Sequence, residues 1–421
     1  MEFDPTQTDP ELKRFLEIDK RLFAIAIPFK ILTMIEWPKN KQEEFLAAYN
    51  KGEKAIPHVE YPRHQHAEQL RVLDEILSAT DSPHPIAQYL NQTARSYWLG
   101  HKFAENLGRP EMLQYSIDMY GRPGDFVTGS KYTNIDAARF FIEIADEFND
   151  YHNVDEQDIC VLAETIKSQL ESEIAAVFTA DKITVQIDEN LVPKAAAGVN
   201  RVRLRSGTCF SRYDFKQLLE HEIFVHTLTA LNGKYQRHLT CLGAGSPRTT
   251  ATQEGLATFA ELITGAIDLG RLKRIALRVL AVNMALEGAN FIEVFEFFLK
   301  NGQSQSESFS STQRIFRGGD PNGRYVFTKD SVYLDGLLRA HSFFRWAMKK
   351  NKLGLTRVLF SGRMTFDDAE KLAPLYESGV ILPPKYLPPW LSQVPTLGGY
   401  LAFSLFANKI RVGTLDKEFR Q

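Results

Sequence analysis

Two histidines and two glutamates interrupt a mostly apolar stretch at residues 218–228, where a buried helix would ordinarily carry none of them. His221, Glu222 and His226 form an HExxxH pattern, one residue longer than the HExxH pattern of many zinc proteases. In the shorter pattern, two imidazoles bind the ion and the glutamate deprotonates a water molecule. The residue types therefore indicate hydrolytic metal chemistry. A charged side chain in such an apolar stretch requires a partner, and a divalent cation would serve.

The additional residue changes the geometry of the histidine pair. Successive residues of an α-helix are separated by about 100°, so positions five apart diverge by about 140°. Both imidazoles can reach one ion only if a π-type turn absorbs the extra residue, and such turns are frequent at functional sites. We therefore predict a departure from α-helical geometry between His221 and His226.

A third protein ligand is usual in zinc hydrolases, with a fourth position left for water. The best candidate is Glu254, which lies in a second stretch of helical periodicity at residues 250–262. Thr249 or Thr250 could cap the start of that helix. A second helix would thus bring a carboxylate to the two histidines. A buried network of these groups without metal is the alternative, but it would leave several polar groups to satisfy at considerable cost.

The two motifs together resemble a known family, the flavohemoglobin expression-modulating QEGLA-motif proteins, which are related to the microtubule-associated tyrosine carboxypeptidases. The resemblance rests on residues 221–226 and on Gln253-Glu254-Gly255-Leu256-Ala257, in the family's order and separation. Further similar stretches lie at residues 232–233, 314–318 and 327–336.

The resemblance implies a metallopeptidase of the gluzincin type with one Zn2+ per chain. Carried over by motif, His221 and His226 bind zinc, Glu254 is the third ligand and Glu222 is the general base. It further implies a carboxypeptidase that acts on the C-terminus of a peptide or protein and releases a tyrosine or another aromatic residue. This sequence does not show the long N-terminal extension of the tubulin-processing members, so the resemblance does not extend to a microtubule substrate.

A regulatory protein that binds zinc without peptidase activity is the alternative function. The name of the QEGLA-motif family refers to an effect on the expression of another protein, which a regulator without enzymatic activity could also produce. Glu222 favours the enzyme, because zinc binding alone does not need a glutamate beside the ligands.

The expected fold class is α+β and predominantly helical, with a gluzincin-like zinc-peptidase core. Alternating apolar and polar residues predict half-buried strands at 183–187 and 202–205. We expect these strands to form a small antiparallel sheet beside the HExxxH helix, with an edge strand that could pair with an extended peptide. Arg203 and Arg205 would share one face of the second strand, where they either contact a substrate carboxylate or form a solvated face.

A carboxypeptidase needs a basic side chain to bind the terminal carboxylate of its substrate. Arg317 and Lys329 are candidates beside the two strand arginines. Tyr333 shares a face with Lys329 on a helix predicted over residues 328–350, and is the candidate hydrogen-bond donor to the developing oxyanion. Packing for the tyrosine and a surface position for Arg317 are the structural alternatives. The Ser-, Gln- and Gly-rich residues 301–312 predict a flexible loop, either a lid or a surface connection.

Composition excludes several classes of protein. The 421 residues are 44% hydrophobic and 24% charged, which is ordinary for a soluble globular chain, and the formal net charge is −2. That balance provides no overall electrostatic footprint for nucleic acid or for an anionic membrane. No apolar run reaches the roughly 20 residues that a membrane-spanning helix needs, and the acidic N-terminus does not resemble a secretory signal. The sequence does not indicate an oligomeric state.

The cysteines and the remaining histidines complete the predictions. Cys160, Cys209 and Cys241 are far apart and include no CxxC pair, so we expect reduced thiols in a cytoplasmic protein. The histidines at 58, 64, 66, 84 and 101 could form a second metal site, but exposed loop histidines are the favoured interpretation. We divide the chain into a helical N-terminal lobe (1–150), a catalytic core (151–350) and a C-terminal wrap and helix (351–421).

Overall fold

A computed structural model of the chain describes residues 10–148, 160–189, 191, 194–392 and 394–409. Helices dominate this part of the chain, as the sequence predicts. The helices that precede the sheet are α1 Pro10–Ala26, α2 Ile31–Met34, α3 Asn40–Asn50, α4 Ala67–Ala79, α5 Pro85–Glu105, α6 Met112–Tyr120, α7 Asn134–Glu147 and α8 Ala163–Val177.

The helices that follow the sheet carry the candidate site. They begin with α9 Arg212–Leu218, which runs directly into a π-helix, Leu219–Thr227. After these come α10 Leu228–Lys234, α11 Thr250–Ile263, α12 Leu269–Leu286, α13 Phe291–Lys300, α14 Gln305–Phe316, α15 Val332–Lys349, α16 Leu355–Leu359, α17 Phe366–Lys371, α18 Ala373–Glu377, α19 Pro389–Ser392 and α20 Val394–Ala407. Short 3-10 helices occupy Thr240–Gly243, Pro247–Thr249 and Thr328–Ser331.

The sheet has three described strands, β1 Thr184–Asp188, β2 Ala195–Ala197 and β3 Arg201–Arg205, in the order β1-β3-β2. Both predicted strands are confirmed, but the predicted antiparallel sheet is wrong, because β1 and β3 are parallel and only β2 runs antiparallel to β3. The short strand β2 takes the antiparallel position. Its three alanines have no apolar–polar alternation, so the sequence pattern did not reveal it.

The sheet lies against the π-helix, as predicted. The Thr227 hydroxyl at the end of the π-helix donates a hydrogen bond to the carbonyl of Gly198, just after β2, at 3.0 Å. Strand β2 is at the edge of the described sheet, and it contacts the helix that carries the two histidines.

The predicted flexible loop at 301–312 is wrong, because most of that stretch belongs to α14. Ser304 accepts a hydrogen bond from the backbone N–H of Glu307, and the Glu307 carboxylate accepts one from the backbone N–H of Ser304, which is a capping box. The buried side chains of Phe309 and Phe316 then fix the helix in a cluster with Phe291. Composition alone predicts a loop here, whereas the cap and the buried aromatic residues produce a helix.

The predicted helix over 328–350 begins later than expected. Thr328–Ser331 is a 3-10 helix, and α15 starts at Val332. Thr328 does not cap α15. Its hydroxyl instead donates to the backbone carbonyl of Ser116, and its backbone N–H donates to the Ser116 hydroxyl. This turn is therefore anchored to α6, which determines where Lys329 lies.

The largest hydrophobic cluster extends from Leu12 in α1 to Leu401 in α20. It includes Phe224 of the π-helix and Phe259 of α11, both fully or almost fully buried. The histidine-bearing helix is thus embedded in a cluster to which all three predicted segments contribute. The division of the chain at residues 150 and 350 stays a prediction.

The prediction of three reduced thiols is wrong for two of them. Cys160 and Cys209 form a disulfide with Cα atoms 4.8 Å apart, whereas Cys241 is free and buried. An antiparallel bridge between Val161 and Phe210 brings the two segments together, a contact that sequence spacing does not reveal. The cytoplasmic location stays a prediction. Among the described residues, no helix has both the length and the apolar character needed to cross a bilayer.

Candidate metal centre

The histidine pair lies on a π-helix, so the predicted departure from α geometry is confirmed. The helix starts at α9, where Ser211 and Asp214 form a capping box, and becomes a π-helix at Leu219. With i to i+5 hydrogen bonding, residues five apart return to the same face. The ring centroids of His221 and His226 are accordingly only 4.8 Å apart.

Helix α11 brings Glu254 to the two histidines. Its Oε2 atom lies 3.4 Å from Nε2 of His221 and 3.6 Å from Nε2 of His226. The three ligand atoms lie within 4.8 Å of one another, and in the part of the chain that the structure describes no other group of three meets this condition. Two imidazoles and one carboxylate are zinc donors, so the three residues fit such an ion.

Helices α11 and α15 approach so closely that glycine is required at their crossing. A Cβ atom on Gly255 would lie 2.2 Å from the backbone carbonyl oxygen of Gly336, and one on Gly336 would lie 2.3 Å from that of Ala251. Gly255 directly follows Glu254 in the QEGLA motif. The motif glycine therefore lets the third ligand's helix pack between the π-helix and α15.

A second contact joins the two motifs. The Thr229 hydroxyl lies 2.8 Å from Oε1 of Gln253, the residue before Glu254. Both side chains are buried. This contact connects the helical turn after His226 to the first turns of α11. It gives the glutamine of the QEGLA motif a structural role, which the motif alone does not indicate.

His221 is held from its other side by Glu261, a residue that the sequence analysis did not identify. Oε1 of Glu261 lies 2.6 Å from Nδ1 of His221, and the Arg271 guanidinium binds the same carboxylate at 3.0 and 3.1 Å. Burial alone would raise the pKa of Glu261, but Arg271 and His221 outweigh it and lower the pKa to about 2. Glu261 is therefore ionised at neutral pH and accepts the Nδ1 proton of His221, which leaves Nε2 as the ring atom that can bind a metal.

The candidate base, Glu222, follows His221 on the π-helix and is half-buried. Glu254 is half-buried as well, with a side chain that is 14% exposed. Burial would raise its pKa, but Lys329 and the two histidines outweigh that effect and hold the pKa of Glu254 well below its ordinary value. The candidate third ligand is therefore ionised, as metal binding would require.

Lys329 and Tyr333 lie beside Glu254, and they share a face as predicted. The Lys329 ammonium donates to Oε1 of Glu254 at 3.1 Å and lies 3.4 Å from the Tyr333 hydroxyl. The hydroxyl oxygen also accepts a hydrogen bond from Arg314 at 3.1 Å. Arg314 in turn makes two 2.7 Å hydrogen bonds to Asp330. Tyr333 is thus in contact with cations instead of packing only against apolar side chains.

Arg317 and Arg278 extend this group into a basic pocket, which we define as Arg278, Arg314, Arg317, Lys329 and Tyr333. The guanidinium of Arg278 lies 5.3 Å from the centroid of the Tyr333 ring and 3.9 Å from the carboxylate of Asp330. Arg317 stacks over Phe327 at 5.5 Å. The Nε atoms of Arg278 and Arg317 are buried and have no hydrogen-bond partner within the described part of the chain.

Burial, assisted by the neighbouring Arg314, lowers the pKa of both Arg278 and Arg317 to about 10. Both guanidinium groups therefore stay charged at neutral pH. Arg278 is not among the residues predicted from the sequence, although a signal was present: Arg271, Arg274 and Arg278 recur at helical spacing on α12.

The two strand arginines lie on the sheet. Arg203 binds Asp188 of β1 at 3.1 Å, and Arg205 donates to the Thr208 hydroxyl at 2.6 Å. The structure thus gives both side chains partners on the sheet or in the turn that follows it. Their proposed role in substrate binding stays a prediction.

The histidines of the N-terminal region do not form a second cluster of three metal ligands in the described residues. His84 caps α5 by accepting from the backbone N–H of Ile86. For His101, the favoured prediction of an exposed loop residue is wrong. It is buried in α5 between Phe29 and His66, and burial lowers its pKa to about 4.

Comparison with known proteins agrees with the motifs. The sequence model of the family described as "Microtubule-associated tyrosine carboxypeptidase" matches residues 43–409. Microtubule-associated tyrosine carboxypeptidase 1 of Mus musculus is 25% identical over 222 residues, which are 51% of this chain and 45% of the mouse protein. The Rattus norvegicus protein of the same name is 26% identical over 200 residues, 46% of this chain and 41% of the rat protein.

Each of these matches thus spans less than half of the relative's length. The family match, by contrast, covers most of this chain and includes the π-helix, α11 and the basic pocket. The relation that the two motifs indicated is confirmed: this chain belongs to the microtubule-associated tyrosine carboxypeptidase family.

Proposed function

We propose that this chain is a zinc-dependent carboxypeptidase with one zinc ion held by His221, His226 and Glu254. The observation that carries the proposal is the convergence of the three ligand atoms within 4.8 Å of one another, on two helices that pack together. Two histidines and a glutamate are the donor set of one class of zinc hydrolases. On this basis we assign the core to the gluzincin type.

Glu222 is the general base in this proposal. When bound, zinc supplies a Lewis acid that polarises the scissile carbonyl and makes a water molecule more acidic. Glu222 accepts a proton from that water and passes it to the leaving amine. Its position next to His221 on the π-helix keeps the carboxylate near the ligands, and its half-buried side chain can still reach a substrate.

Tyr333 is the proposed donor to the oxyanion. Its hydroxyl oxygen already accepts hydrogen bonds from Arg314 and Lys329, so the O–H proton is left to donate in another direction. A donor held in place before the reaction stabilises the negative charge that develops on the carbonyl oxygen. The two cations also favour a negatively charged group near this hydroxyl.

Arg278 and Arg317 are the proposed ligands of the substrate's terminal carboxylate. Arg314 is committed to Asp330, and Lys329 to Glu254, through short contacts. By contrast, Arg278 and Arg317 each retain a buried Nε–H group without a hydrogen-bond partner in the described residues. A carboxylate that enters the basic pocket would satisfy these donors with charge-assisted hydrogen bonds.

The substrate class follows from the relatives and the sheet. The relatives are named as tyrosine carboxypeptidases, which supports a peptide or protein substrate with an aromatic C-terminal residue. The edge strand β2, next to the π-helix, offers backbone groups to an extended peptide. The aromatic C-terminal residue of the substrate would then be directed towards the metal and the basic pocket.

The proposal is tested by incubating a peptide library with the wild type and with Glu222→Gln, and locating the broken bonds by mass spectrometry. We expect the wild type to remove single C-terminal residues and the variant to remove none. Matched peptides with an amidated C-terminus should resist cleavage. Internal cleavage or N-terminal trimming would overturn the carboxypeptidase assignment. Absence of cleavage, combined with zinc binding and an effect on a partner protein, would favour the regulatory alternative.

A further inference from the structure

The two oxygens of the Glu254 carboxylate face different groups. Oε2 lies 3.4 and 3.6 Å from the Nε2 atoms of His221 and His226, on the side where a metal would bind. Oε1 lies 3.1 Å from the ammonium of Lys329. The side chains of Glu254 and Lys329 are only 14% and 10% exposed, so little water is available to screen their interaction.

The surroundings of Lys329 make Glu254 its principal counter-charge. Lys329 belongs to the Thr328–Ser331 turn. Besides Glu254, its ammonium has a close contact with the neutral hydroxyl of Tyr333 at 3.4 Å. The neighbouring carboxylate, Asp330, is engaged by both donor atoms of Arg314. The cation therefore comes from the turn before α15, and the carboxylate that it balances comes from α11.

We propose that Lys329 is an internal counter-ion of Glu254, which balances the buried carboxylate while no metal is bound and lowers the affinity of the site for zinc. This inference rests on the proposed metal site, but not on peptide hydrolysis. Lys329 acts through Glu254 and is a positioning residue in this role.

Two physical consequences distinguish this role from simple packing. Without Lys329, Glu254 would keep only the two histidines as partners, and loss of one partner from a buried ion pair is destabilising, so Lys329 stabilises the chain before it binds zinc. A dication at Oε2 then has a fixed positive charge nearby, on the other side of the same carboxylate, which opposes its binding. Removal of the ammonium should therefore destabilise the metal-free protein while it strengthens zinc binding.

The first test is Lys329→Met, which keeps a long side chain but removes the charge. Melting temperatures are measured with excess zinc and with a chelator, and the Kd for zinc is measured by competition with a chelating dye. We expect a lower melting temperature in chelator, little change in zinc, and a Kd about tenfold smaller than that of the wild type. Lys352→Met is the matched control, because Lys352 forms an exposed pair with Glu370, and it should change none of these quantities.

A double variant separates charge balance from loss of packing. Glu254→Gln removes the carboxylate that Lys329 faces, and Lys329→Met leaves Glu254 with the two histidines alone, whereas the double variant removes both charges. In chelator, the double variant should therefore melt higher than the sum of the two single effects predicts.

An additive double variant, or a larger Kd for Lys329→Met, would overturn the counter-ion role. If Lys329→Met folds only with zinc the proposal is supported, and if it folds under neither condition the role is structural and the proposal is wrong. None of these measurements uses a peptide substrate, so failure of the proposed hydrolysis would leave the result interpretable.

Discussion

Nδ1 of His221 lies 2.6 Å from Oε1 of Glu261, a carboxylate with no solvent exposure, while Nε2 of the same ring faces Glu254. One imidazole is thus held between two carboxylates, of which Glu261 contacts Nδ1 and Glu254 is the proposed fellow zinc ligand. Because the two carboxylates are seven residues apart on α11, a single helix provides both the proposed ligand and the group that orients His221.

We expect Glu261→Gln to weaken zinc binding about 10- to 100-fold, because the orienting carboxylate of a metal-bound histidine contributes to affinity by about that factor. Competition with a chelating dye measures the change in Kd. Glu220→Gln is a control on the same π-helix, since burial raises the pKa of Glu220 to about 7 and its charge is not paired with the ligands. Equal Kd values for Glu261→Gln and the wild type would refute the orienting role.

Glu222→Gln should abolish hydrolysis while zinc content and melting temperature stay at wild-type values. The amide cannot accept a proton, and loss of general-base catalysis typically reduces the rate by about 10²- to 10⁴-fold. Turnover of a library-derived peptide and elemental analysis measure the two properties on the same sample. Full activity in this variant would show that another group is the base.

Arg278→Met and Arg317→Met should each weaken the binding of peptides with a free C-terminus. A charged hydrogen bond lost from a buried site corresponds to about 10- to 100-fold in Kd. The measurement is made on the Glu222→Gln background, where the peptide is not consumed. Amidated peptides should bind equally to all variants, and Arg71→Met, on the surface of α4, is the control. Equal losses for free and amidated peptides would show that neither arginine reads the carboxylate.

Gly255→Ala should lower the free energy of unfolding by at least about 1–3 kcal/mol, because the added Cβ has no room beside the carbonyl of Gly336. Zinc affinity should fall as well, since α11 has to shift. Gly398→Ala is the matched helical control: no atom lies within 4 Å of its added Cβ, and alanine should add about 0.5–1 kcal/mol of stability. Denaturant unfolding of both variants measures the difference. A neutral Gly255→Ala would contradict the close crossing of α11 and α15.

Thiol titration of the unfolded, unreduced protein should detect one free cysteine out of three, because Cys160 and Cys209 are joined. After reduction, all three should react. Cys209→Ser should also lower the free energy of unfolding by about 2–4 kcal/mol, as expected when a bridge across a long loop is lost. Three reactive thiols before reduction would instead restore the original prediction.

The sequence by itself determined the ligand residues that we infer and the local geometry that two of them need. His221 and His226 are five residues apart on one apolar element, so a shared ion requires a π-type turn, and the π-helix at Leu219–Thr227 agrees. Helix α11 was predicted over residues 250–262 for a similar reason, since periodicity along one element is a local property. The sequence alone also identified Glu254 as a candidate ligand, through the motif at residues 253–257.

Tertiary structure decided which groups surround those ligands. Glu261 meets His221 across 40 residues, and Lys329 meets Glu254 across 75, and no periodicity connects such positions. Arg278 was overlooked because a helical arginine normally faces solvent, and only the packing of α12 against the Thr328–Ser331 turn buries it beside Tyr333. The parallel pairing of β1 and β3 and the disulfide depend in the same way on contacts between distant segments, which a single chain's local pattern does not encode.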